Sequence, residues 1–275
     1  MDSGTDILDI VSARKASGAP FALATVVRTV AATAAKAGAK AVISSDGAIS
    51  EGWIGGGCAR AAVLKAAREA LADGKPRLIS VQPPDALQDH GVAPGVEREG
   101  VRFAANMCPS QGTMDIFIEP VLPHPQVVVI GASPVAAAVA ALAKRVGFKT
   151  LICAPKADHS EFTEADQYVD GFDLPDSNRM RRFVVVSTQG RGDEAALRAA
   201  MSAQSDYIAF VGSRKKAETL KAKLFASGVA SAALDRLKAP AGLDIGAITP
   251  DEIALSILAE IVEVRRRSHA LERSI

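Results

Sequence analysis

Gly55-Gly56-Gly57-Cys58 is the sharpest place in this chain where residue type and spacing could do chemistry. Three glycines let main chain approach a ligand closely, and a helix that starts there presents unpaired N–H groups carrying a partial positive charge. A phosphate or another anion suits such a turn. A thiol at the same helix end is expected to ionise more readily, which makes Cys58 a candidate thiolate, soft enough to ligate a metal and nucleophilic enough to handle sulfur. A second reading stands beside this one: three glycines also make a plain strand-to-helix turn, and a small cysteine also packs in a core. Cys108, in Met107-Cys108-Pro109-Ser110-Gln111-Gly112-Thr113, sits in a loop whose irregular backbone could present N–H groups to a ligand, although Pro and Gly mark most ordinary turns as well. Cys153 closes an apolar run and reads as core filler.

Three further segments have binding chemistry. Gly131-Ala132-Ser133-Pro134 stands where a dinucleotide fold puts its phosphate turn, after a strand and before a helix, with Ser133 in place of a glycine. The strand ending at Cys153 is followed by Ala-Pro-Lys, with no immediate acid for a ribose diol, which argues against an ordinary NAD site; Lys156 and Asp158 are the nearby groups able to meet ribose or phosphate. Gly212, Ser213 and Arg214 place a glycine, a capping hydroxyl and a cation at a strand's carboxyl end, and Asp244 lies in a Gly-rich turn where it either holds the loop or faces a ligand. The four histidines are scattered, the three cysteines lack zinc-site spacing, and Arg265-Arg266-Arg267 reads as a solvated helix end.

The elements that must position these residues follow from periodicity. A short helix over 5–17 precedes a strand over 21–28; strands over 39–44 and 48–54 form a hairpin about Asp46-Gly47; a helix over 58–72 follows the glycines. A strand over 78–81, an aperiodic loop over 82–100 and a last strand over 113–119 complete an α+β unit, residues 1–122. Prolines at 120, 123 and 125 mark a linker. From 126 to 275 strand and helix alternate: strands over 127–131, 149–153, 183–187 and 207–212, helices over 134–146, 193–203, 214–227 and 250–266. The fold class is therefore α/β, an N-terminal α+β domain followed by a Rossmann-like domain with a doubly wound parallel sheet.

Composition bounds the function. The 275 residues are 48% apolar, and 32 Lys and Arg against 31 Asp and Glu give no charge excess for nucleic acid or a membrane surface. Twelve aromatic residues leave few rings for base stacking. An odd cysteine count fits a reducing, cytoplasmic setting; the first ten residues lack the basic start of an export signal, and the apolar runs are shorter than a membrane span.

Val26-Val27-Arg28-Thr29, Ala37 to Val42, Gly52-Trp53-Ile54-Gly55-Gly56-Gly57-Cys58, Phe210 to Lys216, Ala239 to Gly246 and the helix over 250–266 together resemble the xanthine dehydrogenase accessory (XdhC/CoxI) family, over about residues 5–266. The Met107 to Met114 segment is closer to the branch that accompanies carbon monoxide dehydrogenase-like enzymes. The resemblance implies a maturation factor, more a cofactor-insertion chaperone than a catalyst. Such a factor binds molybdenum cofactor as a pterin dinucleotide, the cytosine form in that branch, supports its sulfuration with a cysteine desulfurase, and delivers it to an apo molybdenum hydroxylase. Gly55, Gly56, Gly57, Cys58, Gly131, Ser133, Gly212, Ser213, Arg214 and Asp244 are the expected cofactor contacts, Cys58 and Cys108 the sulfur chemistry, and Cys58 the metal ligand. This chain departs from the family at Ala31-Ala32-Thr33-Ala34-Ala35-Lys36, where the family has Gly-Ser-Ser-Pro-Arg, and at Gly131-Ala132-Ser133. Two other functions fit the same residues: an NAD(P)-dependent oxidoreductase built on the second domain, and an assembly scaffold that touches only proteins. A homodimer is open on every reading.

Overall fold

The structure, a computed structural model, describes residues 6–109, 111–175 and 181–271. Of the positions singled out above, Thr5, the expected start of the first helix, and Ser110 lie outside the described residues. The chain divides into two compact units, Met1–Pro123 and His124–Ile275.

In the first unit α1 (Ile7–Ser17) begins at Asp6, whose side chain accepts from the Leu8 amide. The strands β1 (Phe21–Val30), β2 (Lys40–Ser44) and β3 (Ile49–Gly52) form an antiparallel meander, and α2 (Gly57–Asp73) follows the glycine turn. Then come β4 (Arg77–Gln82), a short helix α3 (Pro84–Asp89), β5 (Glu97–Arg98), β6 (Val101–Ala105) and β7 (Thr113–Val121). The sheet order is β3-β2-β1-β7-β4-β6-β5, antiparallel except between β4 and β6. Residues 59, 63, 66, 67 and 70 of α2 are buried, at helical spacing, and four of the five are Ala. These small side chains let the helix lie close on Ala22, Val26, Ile79, Ile116 and Ile118, the aliphatic face of the sheet.

Part of the segment 82–100, read as an aperiodic loop, is ordered structure, α3 and β5, and β6 follows directly after it. Glu99 and Gly100, both with positive φ, make a tight hairpin turn between β5 and β6, and β6 lies parallel beside β4. The periodicity was hidden because every β6 residue is half-buried, with no polar-apolar alternation to read. Pro120, expected in the linker, instead lies in β7 opposite Ala22, two residues beyond the last β7 residue that pairs with β4, where one side of the strand is unpaired and tolerates a missing N–H.

The second unit contains β8 (Gln126–Ile130), α4 (Pro134–Arg145), β9 (Lys149–Ala154), a 3₁₀ turn (Lys156–Glu161), β10 (Gln167–Asp170), β11 (Arg182–Val186), α5 (Asp193–Ser202), β12 (Tyr207–Phe210), α6 (Arg214–Ala226), α7 (Ser231–Asp235), β13 (Leu237–Lys238) and α8 (Pro250–Leu271). All its strand pairs are parallel, in the order β10-β9-β8-β11-β12-β13. Val127 and Val129 face α4 and α8, while Val128 and Ile130 face α5 and α6, so β8 is buried on both sides and reads as an unbroken apolar run. Strand order reverses between β8 and β11, which is where open α/β sheets hold ligands.

Candidate functional site

One edge of the N-terminal sheet gathers three loops that are far apart in sequence. β1 ends at Val30 opposite Thr113, the first residue of β7, so residues 31–36 leave the sheet beside residues 107–109 and 111–112. The ends of β4 and β6 meet there too, with the Asn106 amide donating to the Gln82 carbonyl at 2.6 Å. The glycine turn completes the edge: a Cβ on Gly55 would lie 3.4 Å from Met114 Cε and 3.7 Å from Ala34 Cβ. A Cβ on Gly57 would lie 3.8 Å from Cys108 Sγ. Gly55 and Gly57 both have positive φ, 104° and 53°, a conformation that side chains resist. Gly112 packs directly against the Ala32 carbonyl, leaving no room for a Cβ.

The geometry brings Cys108 to the turn that carries Cys58, and both thiols are half-buried. Gly56 and Gly57 are exposed, and Gly56 caps α2 with no side-chain hydrogen bond, so the first-turn amides of this helix have no built-in acceptor from a capping side chain. Asn106, which sequence reasoning missed, fixes the Cys108 loop. Its buried amide donates from Nδ2 to the Gly112 carbonyl at 2.6 Å and accepts from the Cys108 amide at 3.1 Å, bridging the loop's two ends. An Asn two residues before the N–H it captures is an Asx-turn signature, and that spacing was the available signal. Cys153 is sealed in the core of the second unit, where burial pushes its thiol up to about 12.

The second unit puts Gly131 and Ser133 at its switch point. Gly131, with φ 104°, abuts the next strand's exit so closely that a Cβ would sit 2.6 Å from the Ser187 carbonyl oxygen. Ser133 Oγ lies 2.6 Å from Ser187 Oγ and accepts from the Ala136 amide, capping α4. Pro134 has no N–H to offer and the Ala137 amide bonds the Ser133 carbonyl, so this helix start is largely satisfied by its own residues. Arg191 reaches across it, 3.4 Å from the Ala132 carbonyl and from Asp158, which places Asp158 in an ion pair at the mouth of the crevice.

Along the same carboxyl edge Gly212 packs on the Phe210 ring and Ser213 caps α6, accepting from the Lys216 amide at 3.3 Å, while Arg214 is exposed. Lys216 binds Asp193 at 2.7 Å. Burial works to raise the Asp193 pKa, but Lys216, the Thr188 hydroxyl and the Gly190 amide together outweigh it and hold the carboxyl below its ordinary value. Asp244 is exposed in its loop. The loop is anchored elsewhere, by buried Glu260, which accepts from Tyr207 Oη at 2.6 Å and the Gly242 amide at 3.0 Å and pairs with Lys238 at 2.9 Å. Burial first, and then Glu260, push the Tyr207 hydroxyl pKa upward. Among the described residues no group of three or more His, Cys, Asp or Glu is placed to hold a metal ion, and no helix is long and apolar enough to cross a membrane.

Comparison with known proteins agrees with both halves of this architecture. Residues 127–261 match the family model of the XdhC Rossmann domain, and residues 15–82 match that of the XdhC and CoxI family. The chain is 30% identical over 261 residues to the Escherichia coli K12 protein YqeB, named as uncharacterized, covering 90% of this chain and 44% of that protein. It is 29% identical over 163 residues to a Bacillus subtilis protein named as a probable component of xanthine dehydrogenase, covering 56% of this chain and 47% of the relative. The chain thus spans about half the length of these curated relatives. A solved Bacillus halodurans structure described as a xanthine dehydrogenase aligns over 96% of each chain with 17% identity and a TM-score of 0.45. With both of its units matched, the chain belongs to the XdhC/CoxI family.

Proposed function

We propose that this protein is a maturation factor for a molybdenum hydroxylase: it binds molybdenum cofactor as cargo, supports its sulfuration and passes it to the apoenzyme. The observation that carries the reading is the placement of Cys108 Sγ beside the Gly55–Cys58 turn, which sets two half-buried thiols at one glycine-lined edge. Main-chain N–H groups of the Gly56-Gly57 turn suit an anionic group of the cargo, and a thiolate suits both molybdenum and sulfur. A thiolate at either position can attack the terminal sulfur of a donor persulfide. The sulfane sulfur then moves to the new thiol as a persulfide, and the donor leaves as its own thiolate, with no net oxidation. A cysteine desulfurase is the class of enzyme that would supply that persulfide.

Family membership and the relative named for xanthine dehydrogenase support a hydroxylase of the xanthine dehydrogenase type as client. The carbon monoxide dehydrogenase type rests on the Met107 to Met114 segment alone, and the cytosine form of the dinucleotide is part of the same proposal. In the second unit, taken by itself, the exposed Ser213-Arg214 start of α6 is the place best suited to a phosphate group. A second reading, an NAD(P)-dependent oxidoreductase, draws on the strand order β10-β9-β8-β11-β12-β13, the order of dinucleotide-binding sheets. Titration with isolated molybdenum cofactor, NADH and NADPH separates the two. The chaperone reading expects affinity for the pterin cofactor that falls in Cys58→Ser and Cys108→Ser; tight nicotinamide binding with hydride transfer would replace it with the oxidoreductase.

A further inference from the structure

The face of the N-terminal sheet opposite α2 carries polar groups that the cysteine edge does not use. Arg28 on β1, Asp115 on β7, Ser80 on β4 and Phe103 on β6 are register partners across four adjacent strands, so they project from one face. Ser80 is 2% exposed and Gln82, two residues on, 3%. Buried polar side chains in mid-sheet are costly unless fully bonded. Here they form a directed line: His90 Nδ1 donates to Gln82 Oε1 at 2.9 Å, Gln82 Nε2 to Ser80 Oγ at 2.7 Å, and Ser80 Oγ to Asp115 Oδ1 at 2.6 Å. Arg28 Nε donates to the other Asp115 oxygen.

The direction of this line has a consequence at each end. His90 Nδ1 is spent on the Gln82 carbonyl oxygen, which leaves ring Nε2 without a partner among the described residues. Arg28 spends only Nε, leaving both Nη groups available among the described residues. Arg98 reaches the His90 carbonyl at 3.3 Å and Glu99 at 3.8 Å, and its side chain, like that of Arg28, is 59% exposed. These groups share one cavity of about 370 Å³, whose other wall is apolar: Leu78, Val92, Val101 and Phe103.

We propose that this cavity is a second binding site, for a small organic anion consisting of an oxyanion head on a flat apolar body. Arg98 supplies most of the attraction for the head, since Asp115 already offsets Arg28 and Glu99 is free to swing into solvent. The ring lies on Val101 and Phe103. The volume is at the small end for ligand pockets and suits a single ring with its substituents.

Phenyl phosphate, benzoate and inorganic phosphate test this directly, by amide NMR titration of the full chain. The first two distinguish a phosphate from a carboxylate head. At least one ring-bearing anion is expected to saturate, with Kd below about 10 mM, and to shift amides of residues 78–82 and 101–105. Inorganic phosphate is expected to bind about tenfold more weakly, for want of roughly 60 Å² of buried ring. The exposed change Arg98→Ala should weaken binding by about tenfold, whereas Arg198→Ala, in the other unit, and Cys58→Ser should leave it unchanged. The proposal is overturned by no saturable binding of either ring-bearing anion, by phosphate binding as well as they do, or by indifference to Arg98→Ala. Since Cys58 takes no part, failure here is separate from failure of the cysteine edge.

Discussion

Removing the Asn106 side chain isolates how the Cys108 loop is held. Asn106→Ala deletes two hydrogen bonds from a buried site, one to the Gly112 carbonyl at 2.6 Å and one from the Cys108 amide at 3.1 Å, and leaves both main-chain groups to find water. At about 1 kcal/mol net per bond, plus a small cavity, the loss is about 2–3 kcal/mol. For a unit of this size that lowers the unfolding midpoint by about 6–12 °C. The Cys108 amide, protected by Asn106 Oδ1, should exchange its hydrogen roughly 30-fold faster if loop opening becomes about 2 kcal/mol easier. Asn106→Asp keeps the acceptor for Cys108 but sets an oxygen against the Gly112 carbonyl, so it should lose nearly as much stability while retaining more Cys108 protection. Thermal unfolding and site-resolved hydrogen exchange read both variants. An Asn106→Ala protein that melts with the wild type and shows unchanged exchange at Cys108 would refute the positioning role.

Thiol counting with an aromatic disulfide reagent at pH 8 should find Cys58 and Cys108 in the folded protein and Cys153 only in denaturant, because burial keeps the Cys153 thiol protonated up to about 12; three rapid thiols in the native state would contradict this. Gly131→Ala should destabilise the protein by about 2–4 kcal/mol, since the new Cβ meets the Ser187 carbonyl and φ is positive, and a melting curve like the wild type's would show the strand exits to be looser than they are here. Asp193, whose folded pKa lies below its unfolded one, contributes stability above the ordinary carboxylate range that disappears as pH falls through the folded value. Asp193→Asn should therefore cost about 1–3 kcal/mol at pH 7 and flatten the loss of stability as pH falls below the ordinary carboxylate range, as denaturant titrations across pH would record.

The parallel half was the most legible part of the chain. Val127 to Ile130, Phe183 to Val186 and Tyr207 to Phe210 are buried on both faces and so are continuously apolar, with helices between them that have clear faces. Strands β5, β6 and β10 were not legible, being half-buried or exposed, so solvent side and core side carry no contrast. The glycine turn at 55–57 announces itself locally. The cysteine edge could not be read as a whole, because residues 31–36, 55–58, 106–109 and 111–112 meet only through the pairing of β1 with β7 and of β4 with β6. Ser133 looked like a degraded phosphate turn because its partner Ser187 is 54 residues away. The polar line from His90 to Arg28 is foreshadowed only by Ser80 and Gln82 alternating with Ile79 and Val81 along one strand.

On the proposed function, the Cys58–Cys108 edge holds molybdenum cofactor for handover. The chain, purified anaerobically under reducing conditions from cells that make the cofactor, can be assayed for bound molybdenum and pterin by mass spectrometry, alongside Cys58→Ser and Cys108→Ser. Molybdenum and pterin in equal amounts with the unaltered chain, and their loss from Cys58→Ser, are expected. A chain that carries neither, or a Cys58→Ser variant that carries as much, would contradict it.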